Sequence, residues 1–138
     1  WGLWNTVKAV TGGLRVLLAE DNPINALLAR TLLTREGCAV DHAADGEAAL
    51  EALATARYDL VLMDVRMPVL GGMAASRAAR QRGVTTPIVA LTANAFAEDI
   101  RRCLATGMND FVAKPVRPAD LEACLGRIPS GALANAAE

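Results

Sequence analysis

Four apolar runs in this sequence stop at a side chain that can do chemistry. VLLA ends in Glu20 and Asp21, LVLM in Asp64, VAL in Thr92 and FVA in Lys114. If folding gathers these run ends, three carboxylates share one place, where they repel unless a cation sits among them. A hard divalent ion suits such a set, and Mg²⁺ is held in this way by one or two carboxylates together with water and substrate oxygens. Lys114 adds a point charge able to pair with a carboxylate or a phosphoryl oxygen, and Thr92 adds a hydroxyl donor. These parts match phosphoryl transfer, in which catalysis is mainly positioning and neutralisation of charge on the transferring group. A carboxylate is also a competent nucleophile toward activated phosphorus, as in enzymes that pass through an aspartyl-phosphate. Asp64 is the expected nucleophile, because LVLM is the most apolar run and so the most central and rigid. Glu20 and Asp21, at the mouth of a neighbouring strand, are better placed to hold a metal and its waters.

Gathering these ends requires elements that deliver each of them to one edge. RVLLAE reads as a strand buried on both faces. Asn22 can cap a helix with Pro23 at its first position, and Ile24, Leu27, Leu28, Thr31 and Leu32 recur at helical spacing up to a stop at Gly37. AVDHA is a weaker second strand, and Asp45 opens a helix with an apolar stripe of Ala49, Leu50 and Leu53. YDLVLMD is the third strand, Met73 to Gln81 a helix with an alanine face, and PIVALT the fourth strand. A helix from about Ala95 to Thr106 is expected to bury Ile100, Cys103 and Leu104; DFVAK is the fifth strand, and Pro118 starts a last helix through Leu121, Cys124 and Leu125. Five βα repeats make a single α/β domain: a doubly wound parallel five-stranded sheet with helices on both faces, in three α/β/α layers. Ligands in such sheets bind beyond the C-terminal ends of the strands, which is where Glu20, Asp21, Asp64, Thr92 and Lys114 fall.

Composition narrows the function classes. At 138 residues, 53% hydrophobic but only 4% aromatic, the chain suits one aliphatic core. Fourteen basic residues against 15 acidic ones argue against nucleic acid or an acidic membrane surface as partner. Cys38, Cys103 and Cys124 have neither metal-motif spacing nor an even count, and read as buried thiols in a reducing compartment. No apolar run approaches the roughly 18 residues of a membrane span. WGLWNTVKAV lacks signal-peptide features and an initiator Met, so a fragment of a longer protein is expected; Trp1, Trp4 and Val7 suit a linker helix or one that docks on a neighbouring domain. His42 reads as a surface or boundary residue, Met63 and Met67 as packing, and Arg77, Arg80 and Arg82 as a solvated helix face.

With these pieces in order, the chain resembles the receiver domains of two-component response regulators. LLAEDN matches the acidic pair, LVLMDVRMP the phosphoacceptor strand, VALTA the hydroxyl strand and FVAKP the lysine strand. The resemblance runs from Leu14 to about Ile128 and implies the (βα)5 flavodoxin-like receiver fold over residues 14–128, with 1–13 a linker or interdomain helix and 129–138 a tail or linker. It implies that Asp64 is phosphorylated, that Asp21, Asp64 and the Arg66 backbone carbonyl bind Mg²⁺ with Glu20 acting through water, and that Lys114 pairs with the phosphoryl oxygens. Thr92 and Phe111 would form the switch, and the Lys114–Pro115 bond would be cis. EDNPIN and LTANAFAEDIRRCLATGMNDFVAKP are most similar to receivers fused to hybrid sensor histidine kinases. The implied partners are a histidine kinase domain, in cis or trans, and a histidine phosphotransfer protein docking near Asn22, Ile24 and Pro115, in the cytoplasm; self-association stays open. Where the family usually continues Met-Asp-Gly, this chain has Leu70-Gly71-Gly72, which removes a helix cap and is expected to loosen the loop beside Asp64. Arg66, two residues past Asp64, is expected to shield the site or hold a phosphoryl oxygen.

Other classes fit less well. A small Mg²⁺-dependent phosphohydrolase would carry DxDx(T/V), but the residue two past Asp64 is Arg66, and no cap is long enough to enclose a substrate. A flavodoxin-like or nucleotide-binding module would follow its first strand with a glycine-rich loop, where this chain has EDNPIN. A docking domain without turnover would lack a site residue. After Leu125 too little chain remains for a DNA-binding unit, which favours a hybrid-kinase fragment over a free regulator.

Overall fold

The computed structural model describes residues 14–93 and 96–127. The leading Trp-containing segment, the tail from 129 and the proposed helix start at Ala95 lie outside these residues. Elements alternate from β1 (Arg15–Ala19), α1 (Pro23–Arg35) and β2 (Ala39–Ala43) through α2 (Gly46–Thr55), β3 (Leu60–Asp64) and α3 (Gly72–Gln81) to β4 (Ile88–Thr92), α4 (Ala97–Ala105), β5 (Asp110–Ala113) and α5 (Pro118–Gly126). The strands form one parallel sheet in the order β2-β1-β3-β4-β5. β3 is central and every one of its residues is buried, as its apolarity predicted, because helices cover both faces of a parallel sheet. β2 is an edge strand with mostly exposed side chains, hence its weak pattern.

Alternate residues of each strand feed two cores. Val16, Leu18, Leu60, Leu62, Val89, Leu91 and Val112 pack on α1 and α5, whereas Leu17, Ala19, Val61, Met63, Ile88 and Ala90 pack on α2, α3 and α4. α5 buries Leu121, Cys124 and Leu125 as expected, and Met63 is fully buried. The three cysteines are buried and free. Burial pushes Cys38 and Cys124 up to about 11 and Cys103 upward, so all three are thiols at neutral pH and poor nucleophiles.

Helix faces were the least legible part of the fold. α1 starts as read, with Asn22 Oδ1 accepting from the Ile24 and Asn25 N–H groups, yet its buried stripe is Ala26, Ala29, Leu32 and Leu33. Ile24 is 78% and Leu27 66% exposed, and Leu28 is also exposed. Small alanines let the helix sit close to the sheet, and the larger apolar residues one position away face outward. α4 likewise buries Cys103 but exposes Leu104 and leaves Ile100 half-buried.

Arg80 corrects the reading of a solvated arginine face. Its guanidinium donates from Nε to the Gly107 carbonyl (2.9 Å), from one terminal nitrogen to the Val84 and Thr86 carbonyls (2.8 Å each), and from the other to Asn109 Oδ1 (2.8 Å). The fork ties the ends of α3 and α4 to the start of β4 at the edge opposite the strand ends that carry the polar residues. Arg80→Ala removes four hydrogen bonds and leaves part-buried acceptors unpaired. It should lower the unfolding free energy by roughly 2–4 kcal/mol, measured by urea denaturation, with Arg80→Lys recovering only part; a change below about 0.5 kcal/mol would contradict this role.

Candidate functional site

Sheet register brings the polar run ends together. Ala19 pairs with Met63, so Glu20 and Asp64 follow side by side; Asp64 pairs with Leu91, and Thr92 with Ala113, which puts Lys114 just past β5. The end of β1 is fixed by two bonds: the Glu20 N–H donates to the Ala43 carbonyl (3.0 Å), and His42 Nε2 is 2.7 Å from the Glu20 carbonyl. His42 is thus an exposed boundary residue, as expected, that braces the turn carrying the acidic pair.

Glu20 and Asp64 are 1% and 3% exposed, whereas Asp21 is exposed. The Lys114 ammonium lies 2.8 Å from Asp64 Oδ2 and 3.2 Å from Glu20 Oε2. Part of the cation that the carboxylates need is therefore supplied by the chain itself. Glu20 Oε1 accepts from the Asn22 N–H (3.3 Å) and from Asn25 Nδ2 (3.4 Å), while Asp64 Oδ1 accepts from the Arg66 N–H (3.1 Å). Burial, reinforced by the neighbouring Glu20, raises the Asp64 pKa against the pull of Lys114 and the Arg66 N–H. Burial disfavours the Lys114 ammonium, but its two carboxylate partners outweigh that and raise its pKa.

One oxygen each from Glu20, Asp21 and Asp64 lie within 4.8 Å of one another. Glu20 Oε2, although buried, receives no hydrogen bond. An all-oxygen set in which one buried carboxylate oxygen has the Lys114 ammonium 3.2 Å away but accepts no hydrogen bond fits a hard divalent cation such as Mg²⁺. A crevice of about 10 Å³, enough for one water, lies between Glu20, Lys114, Asn25, Leu28, Leu91, Pro115 and Val116.

The loop after Asp64 is tighter than its glycines suggested. Gly71 caps α3 without a side-chain bond, as expected. Gly72, however, is a close-approach residue: its N–H donates to the Val65 carbonyl (3.0 Å), and a Cβ there would stand 2.1 Å from the Asp64 carbonyl oxygen. The Arg66 side chain is exposed. Thr92 is buried and shares a sheet face with half-buried Phe111, since Ala90, two residues before Thr92, pairs with Phe111. The Lys114–Pro115 bond is cis, as expected, and Pro115 is exposed beside it. Asn25 is a site residue that no motif marks in the sequence; its five-residue spacing from Glu20, across the first helical turn, is the available signal.

Comparison with known proteins decides the family. The response regulator receiver domain model matches residues 16–125. The chain belongs to that family. Among solved structures, this receiver is similar to a chain of full-length ShkA in complex with AMPPNP, at 57% identity and a TM-score of 0.79 over 88% of this chain and 26% of that one. It is similar also to the receiver domain of sensor histidine kinase PA1611 from Pseudomonas aeruginosa PAO1, with magnesium in its active-site cleft, at 44% identity and a TM-score of 0.78 over 85% and 98%. The yeast Ssk1 receiver, in complex with the phosphotransfer protein Ypd1, gives 29% and 0.78 over 85% and 89%. The sensor histidine kinase GacS of Pseudomonas protegens is 46% identical over 107 residues, 74% of this chain and 12% of that protein. The receiver spans between 6% and 22% of the curated kinases and transcription factors it matches. Among the described residues no helix is long and apolar enough to cross a membrane.

The raised Asp64 pKa has a sign that can be tested in chelator. A folded-state pKa above the unfolded value makes ionised Asp64 a cost to the fold at neutral pH, one that is relieved as pH falls through the folded pKa and is absent below the unfolded value of 3.8. Asp64→Asn should therefore be more stable than the parent at pH 7, by a margin that narrows toward pH 4 in urea unfolding. A margin that widens on acidification would contradict the assignment.

Proposed function

We propose that this receiver takes a phosphoryl group from a kinase phosphohistidine onto Asp64 and either passes it to a histidine phosphotransfer protein or uses it to change its own surface. The observation that carries the reading is a buried carboxylate at the end of the central strand, held by Lys114 and beside two further carboxylates. In the transfer, an Asp64 oxygen attacks phosphorus as the histidine nitrogen–phosphorus bond breaks, leaving an acyl phosphate on Asp64 and the electron pair on the imidazole. Bound Mg²⁺ supplies charge neutralisation for the phosphoryl oxygens. Asp21, Asp64 and the Arg66 carbonyl would hold it, with Glu20 behind them. Lys114 moves its ammonium from Asp64 to a phosphoryl oxygen, and Thr92 donates its hydroxyl to another. Strand-end rigidity keeps these groups in place, so little reorganisation accompanies the reaction. The same groups would serve self-catalysed phosphorylation from a small donor and dephosphorylation.

Two surfaces follow from this chemistry. Drawing Thr92 and the loop from Ala93 to Ala97 toward the phosphoryl group, a loop in which 94 and 95 lie outside the described residues, would open space for the Phe111 ring on the same sheet face. A partner that must bring its histidine to Asp64 would dock on Asn22, Ile24 and Pro115, where exposed Ile24, Leu27 and Leu28 form an apolar patch beside the acidic site. The Ssk1–Ypd1 complex supports a phosphotransfer partner, and the likeness to the sensor histidine kinase GacS and to the hybrid signal transduction histidine kinase I of Dictyostelium discoideum supports a place in a hybrid kinase, which we put in the cytoplasm.

Acetyl phosphate with Mg²⁺ should place one base-labile phosphoryl group on Asp64, located by mass spectrometry; Asp64→Asn should abolish it and Lys114→Ala should slow it about 10²-fold. Modification at His42 or a serine would overturn the mechanism. Ile24→Glu with Leu27→Glu should slow transfer from a phosphorylated histidine domain roughly tenfold or more while leaving acetyl phosphate reactivity intact. Equal slowing with both donors would remove the docking face.

A further inference from the structure

The loop that follows Asp64 contains a backbone conformation its own side chains do not explain. Val69 has φ 66, the left-handed region that a β-branched residue rarely adopts. The Leu70 N–H donates to the Pro68 carbonyl at 2.7 Å, closing a three-residue turn of the strained γ type around Val69. Val69 is 74% exposed, so burial of its side chain does not stabilise this state. Strain of this kind persists where surrounding contacts over-determine it.

The contact that does so comes from a different element. Gly46, the buried first residue of α2, donates its N–H to the Leu70 carbonyl at 3.0 Å. The approach is closer than any side chain allows: a Cβ on Gly46 would stand 2.3 Å from the Leu70 carbonyl oxygen, 3.0 Å from its carbon and 3.1 Å from Ala75 Cβ. Leu70 is thus fixed through both of its backbone groups. The loop is anchored behind Asp64 as well, by Val65 N–H to the Leu91 carbonyl (3.1 Å) and Gly72 N–H to the Val65 carbonyl (3.0 Å). Between these anchors lies Arg66, whose N–H already holds Asp64 Oδ1 and whose carbonyl the proposed function assigns to the cation.

The geometry points to Gly46 as a positioning residue for the phosphoacceptor loop: its missing side chain lets the start of α2 seat Leu70, hold Val69 in its strained turn, and so set Arg66 against Asp64 and the divalent ion. This rests on the reading of Asp64 as phosphoacceptor. Gly46 touches no substrate and acts through Leu70. A methyl group at 46 must displace Leu70, and because Val69 has little conformational freedom the displacement passes on to Arg66. A glycine at 69, which accepts either sign of φ, would absorb it instead.

The test uses amide NMR and Mg²⁺ titration of the whole chain. In chelator, Gly46→Ala should shift the Arg66 amide although the substitution is on another element. In Mg²⁺ it should raise the half-saturating concentration about tenfold, for the amide shifts and for acetyl phosphate labelling alike, and Val69→Gly added to Gly46→Ala should restore most of the affinity. A folded Gly46→Ala protein with the parent's Arg66 shift and Mg²⁺ response would overturn the inference, as would a double variant no better than the single one. Should Gly46→Ala fail to fold, the parent still decides: the Gly46 amide should move together with that of Arg66 during Mg²⁺ titration, and a stationary Gly46 amide beside a moving Arg66 would overturn the coupling. A parent with no Mg²⁺ response at any amide would instead overturn the proposed function, on which the inference rests.

Discussion

The Lys114 ammonium, 2.8 Å from an oxygen of Asp64 and 3.2 Å from one of Glu20, holds two buried carboxylates at the end of a sheet whose two cores are built from aliphatic side chains. Taking charges out of water costs several kcal/mol per ion even after relaxation, and one ammonium cannot neutralise two carboxylates with a third nearby. The rest of the site follows from that imbalance. The Asn22 and Arg66 N–H groups and the Asn25 amide each donate a neutral hydrogen bond to the buried carboxylates, Asp21 lies at the surface, and Glu20 Oε2 receives no hydrogen bond although the Lys114 ammonium stands 3.2 Å away. A site with negative charge in excess and fixed donors is prepared for a divalent ion and, through it, for a phosphoryl group.

Such a site depends on strand ends that do not move. β3 is paired on both sides and covered on both faces, so Asp64 starts from the most constrained backbone in the sheet, while Glu20 and Lys114 arrive from strands one and two places away. The loop beyond Asp64 cannot rely on the sheet. It is held by backbone contacts that require glycine at 46 and 72 and that keep Val69 strained. The departure from Met-Asp-Gly in this stretch therefore changes the cap of α3 more than it frees the loop.

The strands and the convergence of the polar residues at their ends were legible because a parallel sheet buries its strands on both faces, and any charged residue at such an end stands out from its neighbours. Helix capping was legible for the same local reason, as at Asn22 and Asp45. Helix faces were not. The α1 pattern of Ile24, Leu27 and Leu28 satisfies helical spacing, yet Ala26, Ala29 and Leu33 satisfy it equally, and only the close approach of helix to sheet selects the smaller set. Arg80 was missed because its partners are carbonyls, which no sequence pattern marks. Gly71 and Gly72 looked like sources of freedom and Gly46 carried no signal, whereas the use of Gly46 and Gly72 lies in close approaches that a missing side chain permits, to Leu70 and to Asp64.

The claim that the carboxylates are short of positive charge is tested most directly by the Mg²⁺ dependence of stability. The urea unfolding free energy of the parent should rise with Mg²⁺, reaching a slope of about 1.4 kcal/mol per tenfold increase once the ion is well above its dissociation constant, and Asp21→Asn should shift that rise to higher concentration. A parent whose stability is the same in chelator and in millimolar Mg²⁺ would contradict the account, since the charge shortage that organises the site would then have no ion to meet it.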